Sequence, residues 1–184
     1  MLREFLEALI QRLLKRAADH RALAPVIGLL AYAQTVFMAL PVTVTVAVAV
    51  LIAPRQLRAV VWMAALGSGL GATTLVWLFH TWGWPQVQAA FPAVFASSAG
   101  QQMVSWLVEW GLPGLLGVAV LPVPQAPTLA VFALGQPSLP IVFVLMVVGK
   151  LVKYGLTALL VRHFPERFAR FVLRRQTARQ QPRP

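Results

Sequence analysis

The sequence predicts an all-α integral membrane protein with two transmembrane helices and two oppositely oriented re-entrant hairpins in an inverted-repeat plan. Amphipathic interfacial helices flank this unit at the N- and C-terminal ends. Three observations predict it. The chain is 59% hydrophobic and 11% charged, where a soluble domain carries about 25% charged residues. Its 16 basic residues fall before Pro25, at Arg55 and Arg58, and from Lys150 onward, so residues 59–149 hold no Lys or Arg and one acid, Glu109. Prolines interrupt two apolar stretches, at Pro41 and at Pro122, Pro124 and Pro127. Each proline removes an amide donor, and broken backbone within hydrocarbon is tolerated where protein or a water-lined cavity surrounds it.

Composition also excludes function classes. A net charge of +11 suggests nucleic acid, but the basic residues flank apolar segments and lack interleaved stacking aromatics. Basic residues placed in this way mark the cytoplasmic ends of membrane segments. The chain has no cysteine, so disulfides, thiolate metal sites and cysteine nucleophiles are excluded. Five acids and three histidines assemble no paired carboxylates, nucleophile–base pair or metal cluster, so no enzyme and no cofactor is expected. The organisation is an amphipathic helix at 1–20, a membrane domain at 21–165 and a basic cytoplasmic tail at 166–184.

In order, residues 2–18 set Leu2, Phe5, Leu6, Leu9, Ile10, Leu13 and Leu14 opposite a polar face rich in Arg and Lys. Such a helix lies in the headgroup region of an anionic leaflet. A helix on a soluble partner, or a leader cleaved after Ala31-Tyr32-Ala33, are the alternatives. Residues 24–53 are apolar with Pro41 near the middle and basic residues at both ends. One span takes about twenty residues and two take about forty. A hairpin that enters from the cytoplasm and turns near Pro41 satisfies both length and charge, whereas a single tilted span would place Arg55 and Arg58 outside.

Residues 57–79 predict a spanning helix in which Gly67, Gly69 and Gly71 permit close approach of a neighbouring helix. Residues 80–112 are expected outside, with Trp82, Trp84, Trp106 and Trp110 at the interface and a short amphipathic helix over 99–110. Residues 113–134 predict the second hairpin, entering from the opposite side. Residues 138–161 then cross back, leaving seven arginines in the cytoplasm and a short interfacial helix begun at Pro165. Two halves thus share one plan in opposite orientation, which points to a transporter-type site at mid-depth.

Lys150 and Lys153 are three residues apart on the second spanning helix, hence on one face. Lys150 lies about 16 Å into a core about 30 Å thick, where an ammonium is costly unless paired or wetted. Lys150, Lys153 and Tyr154 are therefore the expected site for an anionic group, with Gln34, Thr35 and Gln125 as neutral hydrogen-bonding partners. The competing expectation is that both lysines snorkel to the interface and orient the helix.

At Pro122-Val123-Pro124 and Gly149-Lys150-Leu151-Val152-Lys153-Tyr154 the chain resembles the DedA superfamily, also called VTT or SNARE-associated membrane proteins, in its YqaA-like branch. Trp110-Gly111 also stands at a position of that branch's second half. Gln34-Thr35, Phe37, Pro41 and Gly67-Ser68-Gly69-Leu70-Gly71 fit its first half. The resemblance covers residues 30–165. It implies facing re-entrant hairpins and a role in translocating membrane lipids, anionic phospholipid or polyprenyl phosphate, in a bacterial inner membrane with both termini cytoplasmic. The family's first-hairpin carboxylates are replaced by Gln34 and Val42-Thr43-Val44, and its second-hairpin basic residue by Gln125-Ala126. Coupling to protons through those acids is not expected here. A non-transporting membrane scaffold or assembly factor is the alternative function, and assembly into a homo-oligomer is left open.

Overall fold

The computed structural model describes residues 22–37, 41–121 and 125–164, and every regular element among them is helical. These elements are α1 (Leu23–Phe37), α2 (Val42–Ile52), a 3-10 turn (Pro54–Gln56), α3 (Leu57–Trp82), α4 (Trp84–Ala90), α5 (Pro92–Phe95), α6 (Ser98–Val120), α7 (Gln125–Leu134) and α8 (Leu139–His163). The segments expected at 1–20 and 166–184, the interfacial helix begun at Pro165, and Pro122 and Pro124 lie outside the described residues. The only two helices long and apolar enough to cross a membrane, among those described, begin at Pro54 and Leu139. They correspond to the two expected spans.

Proline and glycine chemistry sets most boundaries. Pro41 takes the N-cap position of α2 with φ −65° and ψ 117°, an extended conformation that breaks α1 from α2 as expected. Gly111 has φ 50° and ψ −125° inside α6, a conformation that only glycine adopts without strain. It divides α6 at the boundary predicted between the amphipathic helix and the second hairpin. Pro113 then falls in the first turn of the next helical segment, where a missing amide breaks no bond.

Pro127 corrects the sequence expectation. Pro127 is expected at the break of the second hairpin, yet it lies within α7 and is buried there. It is the third residue of that helix, so its nitrogen is one of the first-turn positions that have no intrahelical partner to lose.

α3 and α8 run antiparallel at the centre. Val60, Val61 and Ala64 share one apolar cluster with Ala158 and Val161, while Leu75, Val76 and Phe79 share another with Val142 and Met146. Glycines allow their neighbours to approach closely. A Cβ at Gly67 would collide with the backbone of Gly28, and one at Gly71 would come within 2.9 Å of Thr35 Cβ. This seam locks α1 along α3. On the opposite side a Cβ at Gly69 would stand 2.5 Å from Val147 of α8.

The two hairpins are short. α1 and α2 have 15 and 11 residues, or about 22 and 16 Å at 1.5 Å rise, against about 39 Å for the 26 residues of α3. Leu23 and Val50 cluster with Val60, so the first hairpin begins and ends at one end of the bundle. Its far end reaches the middle of α3, where Thr35 meets Ser68. The second hairpin, residues 112–120 with α7, comes from the other end. Its apex meets α8 near mid-length, where Lys153 contacts Leu121. The first arm of each hairpin packs on the long helix of its own half, and the second arm packs on the long helix of the other half. This exchange is the packing counterpart of the repeated plan.

Candidate functional site

Four helices converge where the hairpins end. Buried polar side chains there stand out against the apolar interior: Gln34, Thr35, Thr45, Ser68, Thr128 and Lys150. Lys150 is only 2% exposed. It sits in the middle of α8, and its neighbour Gly149 lets α8 close on Ala119 of α6. The ammonium therefore points into the bundle toward the second hairpin and not along the helix toward an end. The snorkelling expectation fails for Lys150 for this reason.

Lys150 Nζ donates to Gln125 Oε1 at 2.6 Å and stands 5.6 Å from the centroid of the Tyr154 ring, within cation–π range. Lys153, half-buried, donates instead to the Leu121 carbonyl at 2.9 Å. The two lysines grip the apex of the second hairpin at two points, one side chain and one backbone. The described residues include one carboxylate, Glu109, which is exposed and is not among the contacts of either lysine. A cleft of about 450 Å³ that includes Gln88, Gln101 and Glu109 shares no residue with the lysine cluster.

From Tyr154 a directed hydrogen-bond chain crosses to the first hairpin. The Tyr154 hydroxyl donates to Ser68 Oγ at 3.2 Å. Thr35 Oγ1 donates to the Ala31 carbonyl at 2.8 Å, so the 2.9 Å contact between Ser68 and Thr35 has Ser68 as donor. Gln34, expected beside the lysines, is engaged elsewhere. Its Nε2 donates to Thr45 Oγ1 at 2.8 Å and its Oε1 accepts from the same hydroxyl at 3.0 Å.

The structure thus joins Lys150, Gln125 and Tyr154 directly, reaches Thr35 through Ser68, and turns Gln34 into a closed pair within the first hairpin. Ser68 and Thr45 are the polar residues that sequence reasoning missed. A hydroxyl mid-helix can bond back to its own carbonyls, so neither carried a spacing signal. The only hint was Ser68 standing between two glycines on a face already marked for close packing.

Gln125 is the member of the set left unsatisfied. Its Nε2 is buried without a hydrogen-bond partner among the described residues. Chemically the cluster is a buried cation with one neutral acceptor, one aromatic face and one spare amide donor. Such a set of donors can donate to the oxygens of an anion.

Comparison with protein families, with characterised proteins and with solved structures finds no match to this chain.

Proposed function

We propose that this chain is a membrane lipid transporter of the flippase type, in which Lys150 receives the phosphate of an anionic phospholipid or a polyprenyl phosphate at mid-depth. The observation that carries the proposal is the Lys150 ammonium, 2% exposed, with a neutral hydrogen-bond acceptor and no carboxylate beside it among the described residues. A buried cation is retained at such cost where a ligand supplies its counter-charge.

Further features support it. Ile141, Val144, Val148, Val152 and Leu159 form an apolar stripe along one face of α8, each 46–56% exposed, as a lipid-facing helix requires. The short helices of both hairpins support a re-entrant, oppositely oriented placement in a membrane. Arg55, Arg58 and Arg162 gather at the end where the first hairpin begins, which supports a cytoplasmic placement of that end in a bacterial inner membrane. The resemblance to the DedA superfamily points to the same activity.

The test is translocation of headgroup-labelled phospholipid and of undecaprenyl phosphate in proteoliposomes, wild type against Lys150→Ala with Lys153→Ala. The proposal expects movement that the double variant loses. Movement unaffected by the substitutions would shift the site away from the lysines. Movement of neither lipid would favour a non-transporting scaffold, for which Lys150 is dispensable and removal of residues 1–20 or 166–184 abolishes function.

A further inference from the structure

We infer that Gln125 is the specificity-determining residue of the Lys150 site: its carbonyl steadies the ammonium, and its amide NH2 is the neutral donor that completes a phosphate-oxyanion site. This rests on the lipid-phosphate reading above and assigns the residue that selects the ligand.

The orientation of the Gln125 amide is dictated by its neighbour. Lys150 carries donors only, so the atom 2.6 Å from Nζ must be the acceptor Oε1. The opposite orientation would set two donors face to face. Nε2 is bonded to the same carbon as Oε1, so it is held beside the ammonium, and it is buried with no partner among the described residues. Buried donors are almost always paired, and the exceptions call for a physical reason. The lone donor has one here. One oxyanion centre that offers several oxygens can accept from a remaining N–H of Lys150 and from Gln125 Nε2 at once. A group that brings its own donor, such as an amine headgroup, would face donors on both sides.

Comparison with Gln34 sharpens the point. That amide is also buried, but both of its polar atoms engage Thr45, so neither is left without a partner. Charge explains why residue 125 is a glutamine. Glutamate there would keep the acceptor for Lys150, supply an internal counter-charge and delete the spare donor. The site would then be closed to anions while the fold kept its contact.

The experiment uses the full chain in detergent, titrated in separate arms with dihexanoyl phosphatidic acid and with inorganic phosphate. The expected result is that wild type binds phosphatidic acid and Gln125→Glu loses about tenfold or more in affinity, with a melting temperature no lower than wild type. Gln125→Met, which keeps the volume and removes both amide atoms, is expected to lose affinity as well. If inorganic phosphate binds with the same dependence on residue 125, the oxyanion itself is the recognised group. If only phosphatidic acid binds with that dependence, the ligand is a lipid headgroup. Affinity in Gln125→Glu within about twofold of wild type would overturn the role of Gln125 while leaving the lipid reading intact. A wild-type protein that binds neither probe would overturn both.

Discussion

The first and second hairpins use the same kind of residue to opposite ends. In the first, Gln34 and Thr45 close on each other across α1 and α2, with both amide atoms satisfied. In the second, Gln125 reaches Lys150 with one amide atom and leaves the other without a partner among the described residues. A closed polar pair specifies how two helices meet, with each buried polar atom already partnered. An open pair that contains an ammonium is poor as a structural device and suited to binding. The first hairpin is thus the closed side of the polar cluster, and the second carries the candidate site. The chain from Tyr154 through Ser68 to Thr35 is the link between them.

The comparison breaks most severely at the glycine seam. Gly67→Leu forces a side chain into the backbone of Gly28, which cannot yield without separating α1 from α3. The expected cost is about 3 kcal/mol, read as loss of the monodisperse peak and of the thermal transition in detergent. A variant that melts like wild type would show that the first hairpin is not fixed to α3.

Thr45→Val is next. It leaves the buried Gln34 amide unpaired and is expected to lower stability by about 2 kcal/mol, with lipid movement per folded molecule unchanged. Adding Gln34→Leu removes the orphaned amide and should restore most of the loss, since exchanging both partners for apolar groups is nearly neutral. Absence of that recovery in a thermal-melt comparison would mean the pair does more than hold two helices together.

Tyr154→Phe carries the smallest expected effect. It keeps the ring beside Lys150 and deletes only the hydroxyl that bonds Ser68 at 3.2 Å. The expectation is about 1 kcal/mol of lost stability and a modest change in phosphate-lipid affinity. A loss of affinity as large as that of Gln125→Met would make the hydroxyl part of the site itself.

The sequence disclosed the architecture through residues whose chemistry acts locally. Pro41 breaks a helix wherever it stands mid-stretch, and Arg55, Arg58 and Arg162 mark one end. Lys150 was legible because a lysine so deep in an apolar helix needs a partner. Three features were not legible, each for a physical reason. Pro127 reads as a breaker until the start of α7 is known, because proline is harmless in a first turn. Ser68 and Thr45 are ordinary hydroxyls whose meaning comes from partners 33 and 11 residues away. Gln34 and Gln125 are equivalent as letters, and only their surroundings make one closed and the other open.

The most direct measurement sets one variant from each hairpin's polar pair side by side. Lipid translocation in proteoliposomes would be compared for Lys150→Met and Thr45→Val, each normalised to folded protein, with melting temperatures from the same preparations. The account predicts that Lys150→Met abolishes movement with little change in melting temperature, since relief of a buried unpaired charge offsets the loss of the partner of Gln125 Oε1. Thr45→Val should melt lower and still move lipid at the wild-type rate. Lipid movement at the wild-type rate by Lys150→Met would contradict the account, as would equal loss of movement in both variants.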